Sequence, residues 1–123
     1  MDLGGNGPYR IGRKIRTLLE EGKRMIAWKQ GEVDCFGVLI KLDIPEDAHV
    51  VMIGDSNGRT DKAWCDEITS LDGTEHFERC ESIRDPDFIY EVGEMAYSNG
   101  FRFGPGNGPG IHFFMDKEKA MRY

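Results

Sequence analysis

Three histidines and three cysteines are the residues best suited to metal or nucleophilic chemistry, and their spacing argues against both. His49, His76, His112, Cys35, Cys65 and Cys80 include no pair at C-x-x-C, H-x-x-x-H or C-x-x-H spacing, so no metal site is expected. His76 and Cys80 stand four apart and share a face only on a helix. A thiolate nucleophile needs an imidazole beside it, and no sequence neighbour supplies one. Gly54-Asp55-Ser56-Asn57-Gly58 fits the letters of a nucleophile elbow. An elbow needs a strand before the serine and a helix after it, and no helix is expected after Gly58, so the segment is read as a turn. Gly104-Pro105-Gly106-Asn107-Gly108-Pro109-Gly110 is rich enough in glycine for a phosphate cradle. Its two prolines remove N–H donors and a strand follows it instead of a helix, so an irregular loop is expected there, or a recognition element.

The charges carry more information than their total. The 123 residues have a net charge of −6. Residues 1–30 hold seven Lys/Arg against three Asp/Glu, residues 31–100 five against seventeen, and residues 101–123 four against two. An acidic middle is thus flanked by basic ends. Such a surface repels nucleic acid and steers basic partners. Glu46, Asp47, Asp66, Glu67, Asp85 and Asp87 are the candidate binding carboxylates, because they come in close pairs. Arg59 and Lys62, isolated among acids, are either ion-pair partners or anion-binding groups.

The elements that must position these residues can be read from periodicity. Ile11, Ile15, Leu18 and Leu19 form one stripe of a basic amphipathic helix, behind a Gly-rich arm at residues 1–9. Met25–Trp28 reads as a buried strand and Lys29–Glu32 as a turn. Phe36–Ile44 alternates, with Val38, Ile40, Leu42 and Ile44 on one face. Val50–Ile53 is a short strand. Ala63–Leu71 suits either a helix or a strand. Asp72-Gly73 is a turn, and Phe88–Val92 and Ile111–Met115 are strands. Asp116 caps a last helical turn over Lys117–Arg122. The expected fold is therefore α+β, a mostly antiparallel sheet with an N-terminal helix and a short C-terminal helix. Residues 1–24 form the arm and basic helix, and 25–123 a single α+β domain. No apolar run is long enough to span a membrane, residues 1–5 lack a secretion-signal layout, and the odd, widely spaced cysteines suit a reducing cytoplasm.

The C-terminal string Gly110-Ile111-His112-Phe113-Phe114, followed by Glu118-Lys119-Ala120 and Tyr123, resembles the signature of a small domain of unknown function. That domain is found in bacteriophages and bacteria, sometimes beside pentapeptide repeats. Ile26–Lys29, Val38–Ala48, Arg59–Ala63 and Phe88–Glu94 are similar to further pieces of its pattern, so the likeness covers about residues 25–123. Where the pattern often has cysteines, this chain has Gly58 and Asn107. The resemblance implies a phage or mobile-element origin and no established activity. A second likeness is to the poly-ADP-ribose polymerases, carried by Gly108–Phe113 and by Lys119-Ala120 with Tyr123. It implies that His112 takes the place of their nicotinamide-stacking tyrosine. Ala27–Gly31 lacks their His-Gly motif, and no glutamate on a later strand precedes Tyr123.

Three functions follow as expectations. The first is a non-catalytic module that binds a protein partner with a basic surface, such as an inhibitor of a host defence or nucleic-acid-binding protein of the anti-CRISPR kind. It needs no cofactor, no direct nucleic-acid contact and no membrane, and it works in the cytoplasm of the host. The second is an NAD-binding enzyme of ADP-ribosyltransferase type, or a degenerate relative, with His112, Arg59 and Tyr90 as its working residues. The third is a virion or assembly protein, a homo-oligomer whose arm orders at a subunit contact.

Overall fold

A computed structural model describes residues 25–100 and 109–122. In chain order the elements are β1 (Met25–Val33), β2 (Phe36–Ile44), β3 (Val50–Met52), β4 (Asn57–Thr60), β5 (Lys62–Ser70), β6 (His76–Phe77), β7 (Arg79–Ser82), β8 (Ile89–Glu91), β9 (Met95–Tyr97), β10 (Ile111–Phe114) and α1 (Lys117–Arg122). Every strand pairing is antiparallel.

Three nine-residue strands form the centre, in the order β1-β2-β5. Their inward positions are apolar by alternation. Met25 and Ala27 of β1, Val38, Ile40, Leu42 and Ile44 of β2, and Ala63, Cys65 and Ile68 of β5 are buried. One bulge shifts the phase of β5. Lys41 faces Glu67 and Leu42 faces Cys65, which leaves Asp66 as the extra residue. The bulge lets Cys65 and Ile68, three apart, both face the core, and it leaves Trp64 outside.

The far edge of β5 pairs with β9, and the far edge of β1 pairs with β7, which pairs with β8. β8 and β9 are joined by the turn at 92–94, whose Gly93 has a φ of 84°. The six strands β1, β2, β5, β9, β8 and β7 thereby make a ring, and each of them contributes to one apolar cluster. β10, β4 and β3 extend from the same edge of β1 that β7 uses.

The expected α+β class is corrected to a mostly antiparallel β fold: among the described residues the helical part is α1 alone. Short segments such as the polar Asn57–Thr60 and Arg79–Ser82 and the three-residue Met95–Tyr97 have weak strand patterns, and pairing with neighbouring strands makes them strands. The expected N-terminal helix lies outside the described residues. The expected turn at Lys29–Glu32 is also corrected. β1 runs on to Val33, and the hairpin turns at Asp34 and Cys35, with φ of 49° and 72°. Those angles suit a type I′ turn, usually signalled by Asn-Gly, so the turn was hidden by its residues.

α1 has the expected cap. Asp116 Oδ1 accepts from the Glu118 N–H at 2.9 Å. At the other end Gln30 Nε2 donates to the Met121 carbonyl at 2.6 Å. Asp116→Ala is expected to lower unfolding free energy by about 1 kcal/mol, the usual worth of such a cap, measured by urea titration. The turn after β5 carries a second test. Asp72 accepts from Ser70 Oγ, Thr74 N and Thr74 Oγ1, and these bonds pull its pKa from 3.8 down to about 2. The folded value lies below the unfolded one, so the stabilisation is complete above about pH 4 and disappears as pH falls through about 2. Asp72→Ala should be less stable than the native chain at pH 6, and the two denaturation curves should converge toward pH 2.

Candidate functional site

The outer edge of β1 is shared by two strands that diverge. At Trp28 it pairs with Phe114 of β10, and at Gly31 and Glu32 it pairs with Ser82 and Glu81 of β7. Lys29 and Gln30 lie at the fork. A cavity of about 650 Å3 occupies it, a size suited to a small-molecule ligand. Close packing fixes the far arm of the fork: a Cβ on Gly31 would fall 2.8 Å from Cys80 Sγ and 2.9 Å from the Glu81 carbonyl.

Each arm supplies part of the lining. β7 and the loop after it give Ser82, Ile83, Arg84 and Asp85, and β8 with its approach gives Phe88 and Tyr90. The opposite wall is β10 with Asn57 and Gly58 of β4, while α1 contributes Lys119 and Ala120. The rings of Phe88 and Tyr90 contact each other at 5.0 Å between centroids. Lys119 Nζ donates to Ser56 Oγ at 2.9 Å and ties α1 to the β3–β4 turn. Four basic side chains, Lys29, Arg84, His112 and Lys119, border the cavity with one carboxylate, Asp85. The combination of aromatic faces, hydroxyl and amide groups and excess cations suits an anionic ligand with a flat ring.

Lys29 is the unexpected member. It follows Met25 and Ala27 in the inward-facing alternation of β1, a position normally apolar. Its Nζ lies 5.8 Å from the centroid of Tyr90. Among the described residues no carboxylate pairs with it. Burial pushes its pKa from 10.5 down to about 8; Arg84 adds to the shift and Cys80 opposes it. Cys65 and Cys80 are themselves pushed up to about 12, chiefly by burial, and stay protonated thiols at neutral pH. Cys80 therefore gives Lys29 no counter-charge near pH 7. Burial also raises Tyr90, which is a neutral phenol.

The three residues nominated for an enzyme are divided between the two walls of the cavity and the ladder behind one of them. His112 and Tyr90 both border the cavity. Arg59 is 1% exposed and faces His112 across the β4–β10 ladder. Its Nη1 donates to the Pro109 carbonyl at 2.9 Å, which holds the entry to β10, and burial lowers its pKa. Arg59 is thus a positioning residue for the wall.

The six nominated carboxylates occupy three places: Glu46 and Asp47 in the turn after β2, Asp66 and Glu67 in the middle of β5, and Asp85 and Asp87 in the loop before β8. Asp47 binds Lys62 Nζ at 2.6 Å, which lowers the carboxyl and raises the amine. Asp66 lies 3.6 Å from Lys41 Nζ. Asp85 alone of the six borders the cavity, and its Oδ1 accepts from the Asp87 N–H. Lys62 is therefore an ion-pair partner. Ser56 precedes β4 instead of a helix, so the turn reading of Gly54–Gly58 replaces an elbow. Among the described residues no three His, Cys, Asp or Glu side chains converge to hold a metal, and no helix is long and apolar enough to cross a membrane.

Sequence reasoning missed Lys29, Ser82, Arg84 and Phe88. The signal for Lys29 was present, since extending the alternation Met25-Ala27 by one step places a lysine on the inner face. The others could not be found, because the fork depends on which strands share the edge of β1. A family model described as a family of unknown function, DUF5758, matches residues 15–120. No curated protein and no solved structure matches the chain.

Proposed function

The chain belongs to the DUF5758 family, whose function is unknown, and on that premise we propose that it is a binding protein whose working site is the cavity at the fork of β1. Its ligand is a small anionic molecule with an aromatic ring, of the nucleotide class. The single observation that carries this reading is the convergence of Lys29, Arg84, His112 and Lys119 with Phe88 and Tyr90 on one cavity. Basic groups that outnumber the carboxylates around one cavity attract an anion from solution. The likeness of the C-terminal string to the poly-ADP-ribose polymerases nominates NAD among nucleotides, with His112 beside the base. Binding, and not turnover, is the proposed role.

Thermal unfolding with NAD, ADP-ribose and AMP tests it. A ligand present at 100 times its dissociation constant stabilises the fold by about 2.7 kcal/mol. Adenosine, which has the ring without the phosphate, should require at least about tenfold higher concentration. If no anionic nucleotide raises the unfolding temperature, the reading fails.

A second reading, an acidic module that captures a basic protein during phage or mobile-element infection, is favoured by the seventeen acids against five bases between residues 31 and 100. Exposed carboxylates at Glu46, Glu67 and Asp87 are available for it. Its mark is capture of a purified basic protein that is lost on raising salt from 50 to 500 mM, since the screening length falls from about 14 to about 4 Å over that range. Capture that is insensitive to salt would count against it.

A further inference from the structure

We propose that Lys29 is a carbonyl-capturing amine, forming a reversible imine with an anionic aldehyde or ketone that enters the cavity. This rests on the reading of the cavity as the working site, but not on the ligand being a nucleotide. Three features of the geometry carry it. Lys29 stands on the inner face of β1 between Ala27 and Gly31, where the strand cannot turn it outward without reversing its neighbours. It borders the cavity, so a small molecule can reach it. No carboxylate among the described residues holds it as an ammonium.

The charged and titratable groups around it favour the neutral amine. Arg84 lies nearby and repels a second cation, while Cys80 on β7 and Tyr90 on β8 are uncharged at neutral pH. Elsewhere on the cavity, Lys119 adds positive charge, Asp85 opposes it, and His112 is a further titratable group. A lysine whose pKa is near 8 has a far larger neutral fraction at pH 7 than a surface lysine near 10.4. The neutral form is the nucleophile.

The step balances without an oxidant or reductant. The Nζ lone pair attacks the carbonyl carbon and forms a C–N bond, giving a carbinolamine after a proton passes from nitrogen to oxygen through cavity solvent. The carbinolamine hydroxyl takes a further proton from cavity solvent, the C–O bond breaks, the oxygen leaves as water, and a protonated imine remains. Arg84 and Lys119 border the same cavity and place positive charge where the negative group of the substrate would sit.

The test uses the full chain with pyridoxal 5′-phosphate, an anionic aromatic aldehyde, and cyanoborohydride to reduce any imine to a stable amine. Adducts are located by peptide mass mapping at substoichiometric aldehyde. The expected result is one dominant adduct, on Lys29, favoured at least about tenfold over Lys41, Lys62, Lys117 and Lys119 and declining as pH is lowered from 8 to 6. Lys29→Met and Lys29→Arg should both lose it while keeping the native circular dichroism. Adducts spread evenly over the lysines, or a dominant adduct that survives in both variants, would overturn the proposal. Nucleotide binding is measured in parallel without reductant. Binding without trapping at Lys29 overturns this inference and leaves the proposed function standing. Trapping without nucleotide binding supports this inference and removes the nucleotide reading.

Discussion

Gly58→Ala should destabilise the protein by about 3 kcal/mol, the upper part of the range for forcing atoms into a packed region. Gly58 sits in β4 between β3 and β10, where it faces Met52 and Phe113. A Cβ there would lie 2.4 Å from the Val51 carbonyl oxygen and 3.1 Å from both Met52 Sδ and Phe113 Cζ. The side chains can yield a few tenths of an ångström, but the carbonyl belongs to the backbone of the adjacent strand. Relief requires β3 to move away from β4. The loss should therefore extend beyond stability, because Asn57 and Gly58 form part of the cavity wall. Gly37→Ala is the matched control: its nearest atoms would be 3.5 Å away, an ordinary contact, and its effect should stay within about 0.5 kcal/mol. Urea denaturation of the two variants beside the native chain gives both values. Equal midpoints for Gly58→Ala and the native chain would show that β3 is not packed on β4 as described.

Lys29→Met should do the opposite, raising stability while removing the function. Burial holds the Lys29 pKa at about 8 against the ordinary 10.5 of a lysine, and a tenfold change in a protonation equilibrium corresponds to 1.36 kcal/mol. Holding the ammonium in the fold thus costs about 2–3 kcal/mol at neutral pH, allowing for the part of the side chain that reaches solvent. The sign follows from linkage. Below pH 8 both states carry the proton and the cost is complete. Between about 8 and 10.5 the unfolded chain binds more protons, so native stability rises with pH. Methionine has nearly the same length and no charge, so it removes the cost at every pH. The native chain should gain on the variant as pH rises from 7 to 10, and the variant should bind anionic nucleotides at least about tenfold more weakly at pH 7. Guanidinium denaturation of both chains at pH 7 and pH 10 measures the effect. A variant less stable than the native chain at pH 7 would mean that Lys29 is a satisfied structural lysine.

Much of the sheet was legible because its central strands are apolar on one face. Phe36–Ile44 alternates so clearly that its boundaries and its inward set both emerged from periodicity, and the same holds for the capped helix Lys117–Arg122. Ala63–Leu71 stayed open between helix and strand for a physical reason. The bulge at Asp66 breaks the two-residue period, and Ile68 then matches a helical spacing from Trp64 as well as it matches a strand. The hairpin at Asp34-Cys35 was missed because its second left-handed position falls on Cys35, where glycine is usual. At the site, His112 and Tyr90 were found from the sequence as residues of interest, but not their common cavity. That depends on β10 and β7 sharing one edge of β1, and the two strands are separated by almost thirty residues. Lys29 was lost with the misplaced turn, since a lysine in a loop attracts no attention and a lysine on the inner face of a central strand does. The carboxylate pairs illustrate the reverse case. Their spacing was plain, yet Asp47 and Asp66 are engaged by Lys62 and Lys41, partners that only the fold provides.

The most direct test of the central claim is a two-dimensional amide NMR titration of the full chain with ADP-ribose. The predicted result is saturable movement of the Lys29, Ser82, Arg84, Tyr90 and His112 amides, with those of the distant turn at Asp72, Gly73 and Thr74 unmoved. A spectrum unchanged at millimolar ADP-ribose, or shifts concentrated at that turn and absent from the fork of β1, would contradict the account.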